Sequence, residues 1–112
     1  MITTEIRDAA NTAGPGTFVN MTLDGRQEVN LINNRVTQTL GLPVRSLGDA
    51  DETLRTLASQ SRFQVQGWVV LDWSPEDAQH QHNQSIFLVV PHQRINFDLI
   101  LGVRDGRSSG LM

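Results

Sequence analysis

Residues 23–32 read Leu-Asp-Gly-Arg-Gln-Glu-Val-Asn-Leu-Ile, a charged turn set between apolar runs. Upstream, Thr17 to Leu23 alternates, which places Val19, Met21 and Leu23 on one face of a strand. Downstream, Val29 to Ile32 is a second apolar run. Taken alone, Asp24-Gly25 between such runs is a strong short signal for a hairpin turn. The neighbouring segments add a second reading.

Asn33 can cap a short helix over residues 34–40, with Val36 and Leu40 on one side. Gly41 suits the left-handed position that ends it, and Pro43 forbids continuation. Before the turn, Ile2 to Ile6 alternates as a first strand, and 11–16 (Asn-Thr-Ala-Gly-Pro-Gly) is a loop. Leu47 to Ser61 has two readings. It is a helix capped by Asp49 or Asp51 and carrying Leu54, Leu57 and Ala58, or it is a hairpin arm with its tip near Ser59-Gln60-Ser61. Trp68 to Trp73 and Ile86 to Val90 read as strands on either side of a polar loop, 74–84. Phe97 to Leu101 is the last strong apolar run, and the tail after Asp105 is flexible in composition. Many short strands between turn residues predict an all-β domain, mainly antiparallel, with one or two short helices.

A chain of 112 residues fits a single domain with one core, here residues 1–112. It has no cysteine, which excludes disulfides, thiolate catalysis and cysteine-based zinc sites. No apolar run spans a membrane and the N-terminus is not a signal peptide. The expected setting is intracellular, in the cytoplasm, as a domain cut from a longer protein. The sequons at Asn20 and Asn83 are then coincidental. The formal net charge is -3, and the nine basic residues, all arginine, are scattered without interleaved aromatics. Nucleic acid and membranes are not expected as partners.

Two segments in order resemble one family. Asp24-Gly25-Arg26, followed by Asn30-Leu31-Ile32 and a helix ending Leu40-Gly41-Leu42, is similar to the active-site region of retropepsin-like aspartic protease domains of retroelements and their domesticated relatives. Asp98-Leu99-Ile100-Leu101-Gly102 resembles that family's late element, and Phe87 to Pro91 resembles the strand before it. The resemblance runs from Phe18 to Arg104. It implies a closed acid-protease-like barrel and a homodimer, with N- and C-terminal segments pairing across the subunits. An extended peptide would lie in the cleft, and no cofactor is needed. Asp24 would be the catalytic carboxylate, and Gly25, Arg26 and Gln27 the active-site loop. Ile100, Leu101 and Gly102 would support the loop from below. Ala58, Ser59, Gln60 and Ser61 would form the flap. In such a dimer the two carboxylates share a proton, because like charges so close cannot both ionise.

The departures from the pattern bear on activity. Gly25 stands where the family has a hydroxyl residue that locks the two loops together. Arg26 stands where it has a glycine. A guanidinium beside the carboxylates favours their fully ionised state and opposes proton sharing. The expectation is therefore a protease-like domain with impaired catalysis that serves as a dimerisation or peptide-binding module. The alternative is a working aspartic endopeptidase that uses Asp24 from each subunit to activate water.

The remaining motifs read as structure. His80 and His82 form an HxH pair in a polar loop, with Asp77 or His92 as the only further ligands in view, so solvent exposure is expected and no metal. No nucleophile elbow occurs. Trp68 and Trp73 read as packing residues.

Overall fold

The computed structural model describes residues 1–91 and 96–112. His92 lies outside the described residues. Six strands form a closed barrel: β1 (Ile2–Asp8), β2 (Thr17–Leu23), β3 (Asn30–Asn33), β4 (Gly67–Pro75), β5 (Asn83–Val90) and β6 (Leu99–Leu101). Their order around the barrel is β1-β2-β6-β3-β5-β4. Most pairings are antiparallel; β2 with β6 and β3 with β5 are parallel. This is the expected all-β, acid-protease-like barrel.

The alternation of side chains explains why these strands read as continuous apolar runs. Ile32, Val69, Phe87, Val89, Leu99 and Leu101 point into the barrel, together with Ile6, Met21, Leu71 and Trp73. Their neighbours Leu31, Trp68, Leu88, Val90 and Ile100 point outward, yet they too are buried, in a second cluster. A strand covered on both faces has no polar side to show. Part of the cover comes from α2 (Glu52–Gln60), which brings Leu54 and Ala58 to this outer cluster.

Two helices flank the sheet elsewhere. α1 (Asn34–Leu40) is capped as expected: the Asn33 side chain accepts from the Arg35 amide, and Gly41 closes it at φ 62°. α3 (Val103–Ser108) is a third helix among the described residues, one more than expected, and it runs into the tail that composition marks as flexible. Its first turn is anchored, because Asp105 accepts a hydrogen bond from the Asn30 side chain. At its far end Met112 folds back onto Gly106.

The structure settles the ambiguity over residues 47–61 in favour of the helix. The Asp51 side chain accepts from the Leu54 amide at 2.8 Å, and Leu54 and Ala58, one turn apart, share the buried face. The hairpin flap placed at Ala58–Ser61 is therefore corrected: these residues are the last turn and C-cap of α2. β1 pairs with β2 over Ile2–Ile6 and with β4 over Thr4–Asp8.

Candidate functional site

The loop 24–29 links β2 to β3, but those strands do not pair with each other. β6 lies between them, parallel to β2 and antiparallel to β3. Asp24-Gly25 is thus not a hairpin tip. It begins a loop that passes over the end of β6.

Backbone contacts fix that loop. The Asp24 amide donates to the Leu101 carbonyl at 3.1 Å, the Gln27 amide donates to the Asp24 carbonyl at 3.1 Å, and the Val103 amide donates to the Gln27 carbonyl at 2.8 Å. Gly102 sits directly against the backbone of Val29. Of the support residues read from the sequence, Leu101 and Gly102 touch the loop, whereas Ile100 faces the outer cluster.

Asn30, read from the sequence only as part of the motif Asn30-Leu31-Ile32, is a central residue of the site. Its side-chain oxygen accepts from the Gly102 amide at 2.8 Å, and its amide donates to the Ile86 carbonyl at 3.0 Å and to the Asp105 carboxylate. One side chain ties the loop, β5, β6 and α3 together. The signal for it was a polar residue inside the apolar run Val29 to Ile32, where a buried amide must find partners.

Asp24 is gripped from within its own loop. The Arg26 guanidinium donates to both carboxylate oxygens, at 3.1 and 3.4 Å, and the Arg26 backbone amide donates to one of them at 3.0 Å. The Arg26 side chain hydrogen bond and, after it, the Arg26 amide hold the Asp24 carboxyl below the usual carboxylate range. Asp24 is largely covered while Arg26 is exposed. Because the folded carboxyl titrates below its unfolded value, the stabilisation from this pair is present above the unfolded pKa. It is lost as pH falls through the folded one. A carboxyl 13C titration is expected to give Asp24 a midpoint below that of a free Asp, and Arg26→Ala is expected to raise it. An unchanged midpoint in the variant would show that Arg26 does not hold the carboxylate.

The end of α2 stands beside this loop. Leu57, Gln60 and Ser61 face Arg26, Gln27 and Val29 across a cleft of about 330 Å³. Gln60 and Ser61 line this cleft from the end of a helix. Ala58 is buried beneath, and Ser59 is exposed.

Both histidines of the HxH pair are exposed, and His82 places Nδ1 3.2 Å from both oxygens of Asp72 on β4. Among the described residues no group of three or more His, Cys, Asp or Glu is placed to hold a metal ion. Both tryptophan indoles are satisfied by hydrogen bonds, Trp68 to the Ser46 carbonyl and Trp73 to the Ser85 hydroxyl. No helix among the described residues is long and apolar enough to cross a membrane.

No protein-family model matches the chain, and no curated protein matches it in sequence. Among solved structures, the chain is similar to the retroviral protease-like domain of Ddi1 from Leishmania major. The TM-score is 0.57 at 17% identity, over 96% of this chain and 76% of that one. The likeness is one of fold, and it is a retropepsin-like fold.

Proposed function

We propose that this is a non-catalytic retropepsin-fold domain that pairs as a homodimer and holds an extended peptide segment. The observation that supports the loss of catalysis is the Arg26 fork on Asp24. An aspartic dyad works with one shared proton: one carboxyl oxygen activates water while the protonated partner polarises the peptide carbonyl. Here an internal cation occupies both oxygens and favours the ionised form. Gly25 offers no hydroxyl to lock two loops together.

A helical roof is in keeping with this reading. α2 is pinned to the outer core by Leu54 and Ala58, so the cleft beside the loop is covered by a packed element rather than by a free hairpin. A binding module needs the groove and its polar anchors, and can do without a lid that opens once per turnover.

The test is peptide cleavage by the purified domain across acidic and neutral pH. No Asp24-dependent cleavage is expected from the wild type. The double substitution Gly25→Thr and Arg26→Gly is expected to raise activity by at least about a hundredfold over background, since it restores the group chemistry of an acid–base pair. Cleavage by the wild type that disappears in Asp24→Ala would sink the proposal in favour of a working endopeptidase. Sedimentation of the wild type tests the dimer: a monomer at high protein concentration would remove that part.

A further inference from the structure

The barrel is closed, but one strand outruns its neighbour. β5 pairs with β4 from Asn83 to Val89, whereas on its other side β3 reaches only from Phe87 to Val90. Residues 83–86 thus have a sheet edge with no strand beside it among the described residues.

Which backbone groups face that edge follows from strand alternation. The Val89 carbonyl accepts from the Gln66 amide, so odd-numbered residues of β5 turn toward β4. The Ile86 carbonyl accepts from the Asn30 side chain, so even-numbered ones turn toward β3. The N–H and C=O of Gln84 and the N–H of Ile86 therefore point to the open side. The strand register gives them no partner on that side among the described residues, because β3 begins opposite Phe87.

This edge opens into a groove of about 380 Å³ between β5, α2 and the start of α3. Its apolar lining includes Leu54, Leu57 and Ile86, and Ile86 is 40% exposed although it is a large hydrophobic residue. Its charge is one-sided. Among the described residues, Glu28, Asp51 and Asp105 line it with one guanidinium, that of Arg104, whose contact with Glu28 is loose at 4.0 Å.

We propose that the β5 edge at Gln84 and Ile86 captures, as an added strand, an extended peptide that carries a basic side chain between apolar ones. The proposal rests on the peptide-binding reading above and names the partner's chemistry. Main-chain hydrogen bonds to the edge supply affinity, and the pockets beside it supply selection of alternate side chains. The apolar residues cover Leu54, Leu57 and Ile86. The cation enters among the three carboxylates, and the excess negative charge disfavours an acidic residue there.

The experiment titrates 15N-labelled full chain with the N-acetylated, amidated pentapeptide Ser-Val-Lys-Val-Ser and with its counterpart carrying Glu in place of Lys. Saturable shifts of the Gln84 and Ile86 amides are expected. The cationic peptide is expected to bind at least about fivefold more tightly than the anionic one, with the preference shrinking as salt is added. The double variant Glu28→Gln with Asp51→Asn is expected to abolish that preference while keeping the helix cap, since Asn caps as well as Asp. Equal affinity for both peptides, or saturation without shifts at Gln84 and Ile86, would overturn the proposal. If the shifts gather instead at Arg26 and Gln60, the edge assignment fails and the peptide-binding reading survives. Cleavage of the pentapeptide dependent on Asp24 would instead defeat the non-catalytic reading and leave the edge assignment standing.

Discussion

Gly102→Ala is expected to destabilise the domain by about 3 kcal/mol, near the upper end of what overpacking a rigid site costs. A Cβ at Gly102 would stand 2.5 Å from the Val29 carbonyl oxygen and 2.7 Å from its carbonyl carbon. Both are backbone atoms, so no side chain can swing aside. The φ of Gly102 is -78°, which any residue adopts, so the demand is for space and not for an unusual backbone conformation. Relief requires parting the loop from the end of β6, where the Asp24 amide meets the Leu101 carbonyl and the Val103 amide meets the Gln27 carbonyl. Urea denaturation followed by tryptophan fluorescence measures the change. Gly25→Ala is the control. Its Cβ would meet nothing within 4 Å, and a change within about 0.5 kcal/mol is expected. Equal stability of Gly102→Ala and wild type would mean that the close approach to Val29 does not exist.

Asn30→Ala is expected to cost about 3–4 kcal/mol, from the lost packing of a buried side chain and from polar groups left without a partner. Asn30 is 4% exposed. Truncation strands the Gly102 amide, which has Asn30 Oδ1 as its acceptor, and removes the donor that the Asp105 carboxylate faces. The effect should not remain local. Amide exchange is expected to accelerate in α3 and in the loop 24–29 before it does so in β1 and β2, because Asn30 joins the former pair and not the latter. Uniform acceleration across the chain would show that Asn30 contributes to global stability only.

How far the molecule could be read from its sequence depended on the distance over which each contact acts. α1 was legible to the residue because its determinants are adjacent: Asn33 caps it and Gly41 closes it in the left-handed conformation. The strands were legible too, since Met21, Ile32, Phe87 and Leu99 recur in apolar runs bounded by turns. The role of Asp24-Gly25 was not legible from its own neighbourhood. The pair had every local feature of a hairpin turn, and what prevents β2 from pairing with β3 is β6, which lies far along the chain. Residues 47–61 were undecided for the opposite reason. The Asp51 cap and the spacing of Leu54 and Ala58 favoured a helix, while the resemblance to proteases with a hairpin flap favoured a turn at Ser59 to Ser61; local physics prevailed. Asn30 was hidden because a single amide in an apolar run does not reveal that its partners are Gly102, Ile86 and Asp105, up to 75 positions away. The third helix was hidden because Gly106 and the serines around it argue against helix on propensity, and a tertiary anchor at Asp105 overrides them.

The position of β6 also governs the order in which the molecule can be made. Met21 pairs with Leu99 and Leu31 with Ile100, so three residues near the end of the chain fill the gap between two strands near its start. During synthesis β2 and β3 emerge long before β6, and until Leu99 to Leu101 leave the ribosome each presents an open row of backbone donors and acceptors. Contacts so distant in sequence slow folding, because loop closure precedes any reward. A nascent chain halted before residue 99 would therefore expose two sticky edges with no means of covering them, and would be the form that chaperones must hold or that clumps into aggregates.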